Sequence, residues 1–269
     1  MEGISGVSNF KEMDTQQSYV SKMMTAEVRS VCEAINRARA GDHEVEIVVA
    51  DSHSLGVNIN PCELPENVKL IRGFPRHYYM MPAIDKTYDA VFFVGHHAKI
   101  GTPDAGMDHT FSGSAIFGVE INGAEVGEFE INAGLAGHYG VAVAYASGDD
   151  KFIAQISGLK QKHGFVTLVT KEALSRYCAA LYHPEKVRRD ISAMVEKSLV
   201  EKKWKSKPLR YDYPLKVKVT FANTVKTDMV SMIPVLKRLD GRTIYFEAPD
   251  FPYFYNMLCA MTLICWNDR

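Results

Sequence analysis

From Val20 to Ala38 apolar residues recur at Val20, Met23, Met24, Val28, Val31, Ala34, Ile35 and Ala38. That spacing marks one face of a helix, and Gly41 follows as a stop. A second pattern then takes over. EVEIVVAD (44–51), VKLIRG (68–73), DAVFFVGHH (89–97), VAVAYASGD (141–149) and GFVTLVT (164–170) are short, β-branched and almost continuously apolar. Runs of this kind, separated by helical segments, predict a largely parallel sheet with helices on both faces.

Between them, SAIFGVEINGAEVGE (114–128) sets Asn122-Gly123 between apolar residues, the signal of an inserted hairpin. GEFEINAGLAGHYG (127–140) reads as a helix of small residues, and a further helix is predicted from Pro184 to Leu199, with proline in its first turn. KKWKSKPLRYDYP (202–214) is charged and proline-bearing, so a solvated linker is expected there. The tail predicts a strand in LKVKVTFA (215–222), a helix through Met229–Leu236, a strand in RTIYFEA (242–248) and an apolar helix over Tyr253–Ile264. The expected architecture is therefore α/β over residues 1–203, followed by a small C-terminal α+β unit over 204–269.

Composition narrows the function classes. The chain has 269 residues, 46% of them hydrophobic, which is ample for a core without disulfides or a structural metal. Its 31 basic and 32 acidic residues give a net charge of −1, so neither a nucleic acid nor an anionic membrane is the expected partner. No run approaches ~18 consecutive apolar residues, so no membrane-spanning helix is predicted. MEGISGVSNFKEMD lacks the basic and apolar regions of a secretory leader. Five cysteines without a CxxC pair suggest reduced thiols. The expected location is cytoplasmic.

Candidate chemistry lies at strand ends, where ligands bind in doubly wound sheets. EVEIVVA is followed by Asp51-Ser52-His53, DAVFFVG by His96-His97, and VAVAYAS by Gly148-Asp149-Asp150. Two strands thus deliver histidines to one edge, and His109 follows in a Gly/Ser-rich loop. Imidazole nitrogens with carboxylate oxygens suit zinc or another borderline divalent ion. Glu2, Asp51, Asp108, Glu125, Glu128 and Glu130 are the carboxylate candidates, each of which could equally be a solvated or helix-capping side chain. No phosphate-binding glycine loop follows a strand, and no nucleophile elbow is present.

Taken together, MEGISG (1–6), DSHS (51–54), GHHAKIGT (95–102), MDHTFSG (107–113), NGAEVGEFEINAGLAGHYGVAV (122–143) and PVLKRLDGRTIYFEAPD (234–250) resemble the D-aminopeptidase family of zinc peptidases. The resemblance covers nearly the whole chain. It implies a site for two Zn²⁺ ions per subunit, with Glu2 and His53 on one ion and His97 and Glu128 on the other. His109 matches the residue with a catalytic role, and His96 stands behind the ligands. The implied reaction is hydrolysis of the N-terminal peptide bond of short peptides, D-residue peptides among them, by a two-zinc-activated water and His109. The implied assembly is a ring-like homo-oligomer.

One departure follows from the same comparison. The family motif is Asp-x-Glu-Gly at the end of a first strand, and here Met1 occupies the x. The bridging aspartate and its strand are absent from this sequence, so the expectation is that the natural start lies upstream. The alternative is a catalytically impaired or truncated member acting as an assembly subunit or peptide-binding protein.

Overall fold

The computed structural model describes residues 1–40 and 45–266; the predicted stop at Gly41, with His43 and Glu44, lies outside them. Two helices open the chain, α1 (Phe10–Thr15), capped by the Asn9 side chain, and α2 (Gln17–Ala38). Strands β1 (Ile47–Ala50) and β2 (Val68–Ile71) pair in parallel. Then come β3 (Ala90–His96), the hairpin β4 (Ile116–Ile121) and β5 (Ala124–Val126), helix α3 (Glu128–His138) and β6 (Ala142–Asp149). Short helices α4 (Asp150–Gln155) and α5 (Ser157–His163) lead to β7 (Val166–Ser175) and β8 (Cys178–Leu181). The chain closes with α6 (Pro184–Val200), β9 (Leu215–Phe221), α7 (Thr224–Val230), β10 (Lys237–Arg238), β11 (Thr243–Ala248) and α8 (Phe251–Trp266).

The expected parallel strands occupy two sheets, β1-β2 and β3-β6-β7-β8, in which only β8 runs antiparallel. Alternation along β3 explains the covering on both faces. Phe92 and Val94 face α2 and α6 through Val31, Ala34 and Ile191, while Phe93 faces Phe129 of α3 and Phe152 of α4. Helix α2 spans both sheets, because Val28 and Cys32 also pack with Ile47, Val49 and Val94. Outside the pair β1-β2 and on one edge of β3, no strand partner is present among the described residues.

The predicted hairpin turns at Asn122-Gly123, both with left-handed φ (53° and 85°), as a tight hairpin turn requires. It does not stand alone: β9 pairs with β4, so hairpin and C-terminal strands form one sheet in the order β10-β11-β9-β4-β5. Helix α8 buries Phe251, Phe254, Tyr255, Leu258, Met261 and Cys265 against that sheet and against α3. The Tyr255 hydroxyl donates to Asn132 Oδ1 of α3 at 2.6 Å. The tail thereby braces the helix that carries Glu128.

Two expectations change. The helix predicted through Met229–Leu236 lies earlier, at Thr224–Val230, because the Asn223 side chain caps it by accepting from Lys226 N; Pro234 cannot continue a helix. The 202–214 segment is only partly a solvated linker. Its Leu209 is buried and Tyr211 half-buried against Phe129, Ala133 and neighbouring core residues, where the small side chains of α3 admit a close approach.

Candidate metal centre

The parallel strands end on one side, and three loops and a helix N-terminus meet there. His97 directly follows β3, and His109 sits on the loop between β3 and β4. Glu128 opens α3, where the partial positive charge of a helix N-terminus favours a carboxylate. His53 follows β1. Glu2 arrives on the N-terminal segment, which crosses the ends of β3 and β6.

That crossing depends on Gly3. Its N–H donates to Gly95 O at 3.0 Å, and a Cβ there would lie 1.7 Å from His96 O and 2.9 Å from Gly148 Cα. Only a residue without a side chain lets the segment lie this close to the strand ends. Several residues flanking the site adopt left-handed φ without being glycine: Ser54 (50°), Met107 (50°) and Phe111 (58°). Such strain gathers where function over-determines the backbone.

The five side chains form a continuous chain of donors. His53 Nδ1 lies 2.9 Å from Glu2 Oε1, His109 Nε2 lies 3.9 Å from Glu2 Oε1 and 3.5 Å from Glu128 Oε1, and His97 Nε2 lies 3.3 Å from Glu128 Oε2. The rings of His97 and His109 stack at 3.9 Å. Among the described residues, His97, His109 and Glu128 place their ligating atoms all within 4.8 Å of one another. Glu2, His97 and Glu128 are buried, and His109 and His53 are half-buried. His97 Nδ1 faces Ala98 O at 2.9 Å and His109 Nδ1 faces Met107 O at 2.9 Å. Each carbonyl accepts the proton on Nδ1 and turns Nε2 toward the carboxylates, the ring orientation that metal-bound histidines adopt.

Electrostatics couple these groups. Burial alone raises the Glu128 carboxyl, but His97 and His109 pull it down to about 2. Burial opposes charge on His97, yet Glu128 lifts it to about 9. Glu2 is buried too, and His53 and His109 hold it well below the usual carboxylate range. His109 moves the other way, lowered by burial and by the neighbouring His97. Two buried carboxylates facing three imidazoles, two of them oriented by backbone carbonyls, fit a divalent borderline cation by donor type and charge.

The remaining candidates have other work. His96 is held neutral by burial, down to about 4, and stacks on Phe152 beside His97. Asp51 accepts from Asn58 N and Ile59 N and shapes the loop after His53. Asp108 accepts from Gly101 N and pairs with Arg176. Glu130 accepts from Gly127 N and Gln155, and Glu125 pairs with Lys99 at the surface. Two buried charges beneath the site, Glu27 and Lys171, were not among the candidates. Glu27 had a signal, since it falls on the apolar stripe Val20-Met24-Glu27-Val31-Ala34 of α2; Lys171, in a strand of mixed polarity, had none.

A model of the D-aminopeptidase family matches residues 1–260. The chain is 31% identical to a D-aminopeptidase of Bacillus subtilis (strain 168), over 97% of this chain and 94% of that protein. It is also similar to a solved structure, the Zn-dependent D-aminopeptidase DppA from Bacillus subtilis, described as a self-compartmentalizing protease. That likeness has a TM-score of 0.90 at 27% identity and covers 99% of this chain and 96% of that one.

Proposed function

Since this chain belongs to the D-aminopeptidase family, we propose that it is a zinc-dependent aminopeptidase that removes the N-terminal residue of short peptides, D-residue peptides included. The observation that carries this reading is the pair of Nε2 atoms of His97 and His109 turned by backbone carbonyls toward Glu128 and Glu2. Glu2 with His53, and His97 with Glu128, would hold the metal. When bound, zinc acts as a Lewis acid toward the scissile carbonyl and lowers the pKa of water toward neutrality.

The protein's own groups do the rest. Glu2 and Glu128 supply negative charge in a buried setting, which would balance a divalent ion. His109, whose pKa is lowered by burial and by His97, is neutral near pH 7. Its Nε2 accepts a proton from the attacking water and returns it to the amine nitrogen as the peptide bond breaks. Beside it stands an apolar wall, with the Phe10 ring edge-on to His109 at 5.9 Å and to Tyr177 at 6.1 Å; such a wall suits a peptide side chain.

A ring-like homo-oligomer is the assembly we expect, since the similar Bacillus subtilis enzyme is self-compartmentalizing. A cytoplasmic location fits the five free cysteines, and no helix among the described residues is long and apolar enough to cross a membrane.

The test is metal content with activity. Zinc should copurify with the chain, dipeptides should be hydrolysed, and His97→Ala should lose both. A folded chain without zinc or hydrolysis would overturn the reading in favour of a peptide-binding subunit. A panel of D- and L-dipeptides sets the stereochemistry.

A further inference from the structure

Glu2 lies on a segment that belongs to no helix or strand, so something else must fix its position. Residues 2–7 are buried, but their backbone groups lack a sheet ladder; Gly3 N to Gly95 O and Ile4 N to Met1 O are the backbone pairs formed by the segment's amides among the described residues. Buried backbone groups without partners are costly. Side chains from two elements supply them.

Lys171 of β7 is completely buried. Its Nζ donates to the carbonyl of Glu2 and, at 2.6 Å, to the carbonyl of Val7. One ammonium therefore closes the segment at both ends. The neighbouring Thr170 hydroxyl donates to Gly3 O. Glu27 of α2 accepts from Ser5 N at 2.7 Å and from Ser5 Oγ at 2.6 Å.

A fully buried lysine is an expensive way to fill a core, because an apolar side chain of similar length carries no desolvation penalty. Here its donors go to the backbone of the segment that presents Glu2. We infer that Lys171 is a positioning residue for the metal centre, a clasp that holds the 2–7 segment so that Glu2 faces His53 and His109. Glu27 and Thr170 anchor the same segment at Ser5 and Gly3. The inference rests on the metal-centre reading above. Because the segment lies outside the sheets, releasing the clasp displaces Glu2 without dismantling the fold.

The experiment measures zinc affinity of the full chain by competition with a chromophoric chelator, alongside thermal unfolding of the metal-free protein. Lys171→Met keeps the length and removes the charge. It should weaken zinc binding roughly 10- to 100-fold, the usual effect of losing a group that orients a ligand. Val195→Ala, in the core between α6 and the sheet, serves as the control: it should lower the melting temperature and leave affinity within twofold. Zinc affinity of Lys171→Met within twofold of the unsubstituted chain overturns the inference. Should Lys171→Met fail to fold, Thr170→Val decides, with at least threefold weaker binding supporting the clasp and unchanged binding overturning it. An unsubstituted chain that binds no zinc, or binds it equally well after His97→Ala, overturns the metal-centre reading itself, whatever Lys171 does.

Discussion

Gly3→Ala tests most directly how the site is built. An added Cβ would stand 1.7 Å from His96 O and 2.7 Å from His96 C, where real Cβ atoms essentially never come closer than 3.0 Å. The obstacle is backbone on both sides, so no rotamer relieves it. The segment must move away from the strand ends by about 1.3 Å. Such a shift stretches the 3.0 Å bond from Gly3 N to Gly95 O beyond hydrogen-bonding range. Overpacking costs ~1–3 kcal/mol, and a buried N–H left without a partner adds ~1–3 kcal/mol. Together they put the loss of stability at ~2–6 kcal/mol, readable by denaturant unfolding of the metal-free chain. The same shift carries Glu2 away from His53 and His109. A misplacement near 1 Å can cost ~10²-fold in rate, so kcat/KM on a dipeptide should fall by about that factor, and zinc affinity should fall with it. A Gly3→Ala chain with unchanged unfolding free energy and zinc affinity within threefold would refute the close crossing and the placement of Glu2 that depends on it.

Two further outcomes follow from the same geometry. His109→Gln should lower kcat roughly 10²–10⁴-fold, the range for losing a proton carrier, with zinc affinity nearly unchanged; a matching loss of zinc would make His109 a ligand instead. Glu27, raised by burial to about 7 against the pull of Ser5 and Lys171, is more protonated in the folded than in the unfolded chain. Its contribution is fully present below the ordinary glutamate value, and is lost as pH rises through about 7. The change amounts to roughly 3 kcal/mol at ~1.4 kcal/mol per pH unit. Unfolding free energies of the metal-free chain between pH 4.5 and 8 should therefore fall more steeply than those of Glu27→Gln, and parallel curves would contradict this.

Much of the fold was legible because periodicity is a local property. Helix α2, the apolar strands, the Asn122-Gly123 hairpin and α6 lie close to where the spacing of apolar residues puts them. Helix α7 was misplaced because its start is set by a capping side chain, Asn223, rather than by an apolar stripe. Leu209 and Tyr211 fall in a stretch whose local sequence predicts a linker, because their burial comes from α3, a distant stretch of chain.

For the site, the residue types and their positions at strand ends were in the sequence, as was the family resemblance that singled out Glu2, His53, His97, His109 and Glu128. Their convergence was not. The 3.3–3.9 Å separations among His97, His109, Glu2 and Glu128 exist only because sheet, loop and helix N-terminus meet. So do the carbonyls that orient His97 and His109 and the Lys171 and Glu27 contacts that hold the 2–7 segment. The sequence determines which groups can coordinate and where local structure begins; tertiary packing decides which of them share one buried space, because electrostatic and hydrogen-bonding partners are set by proximity in three dimensions.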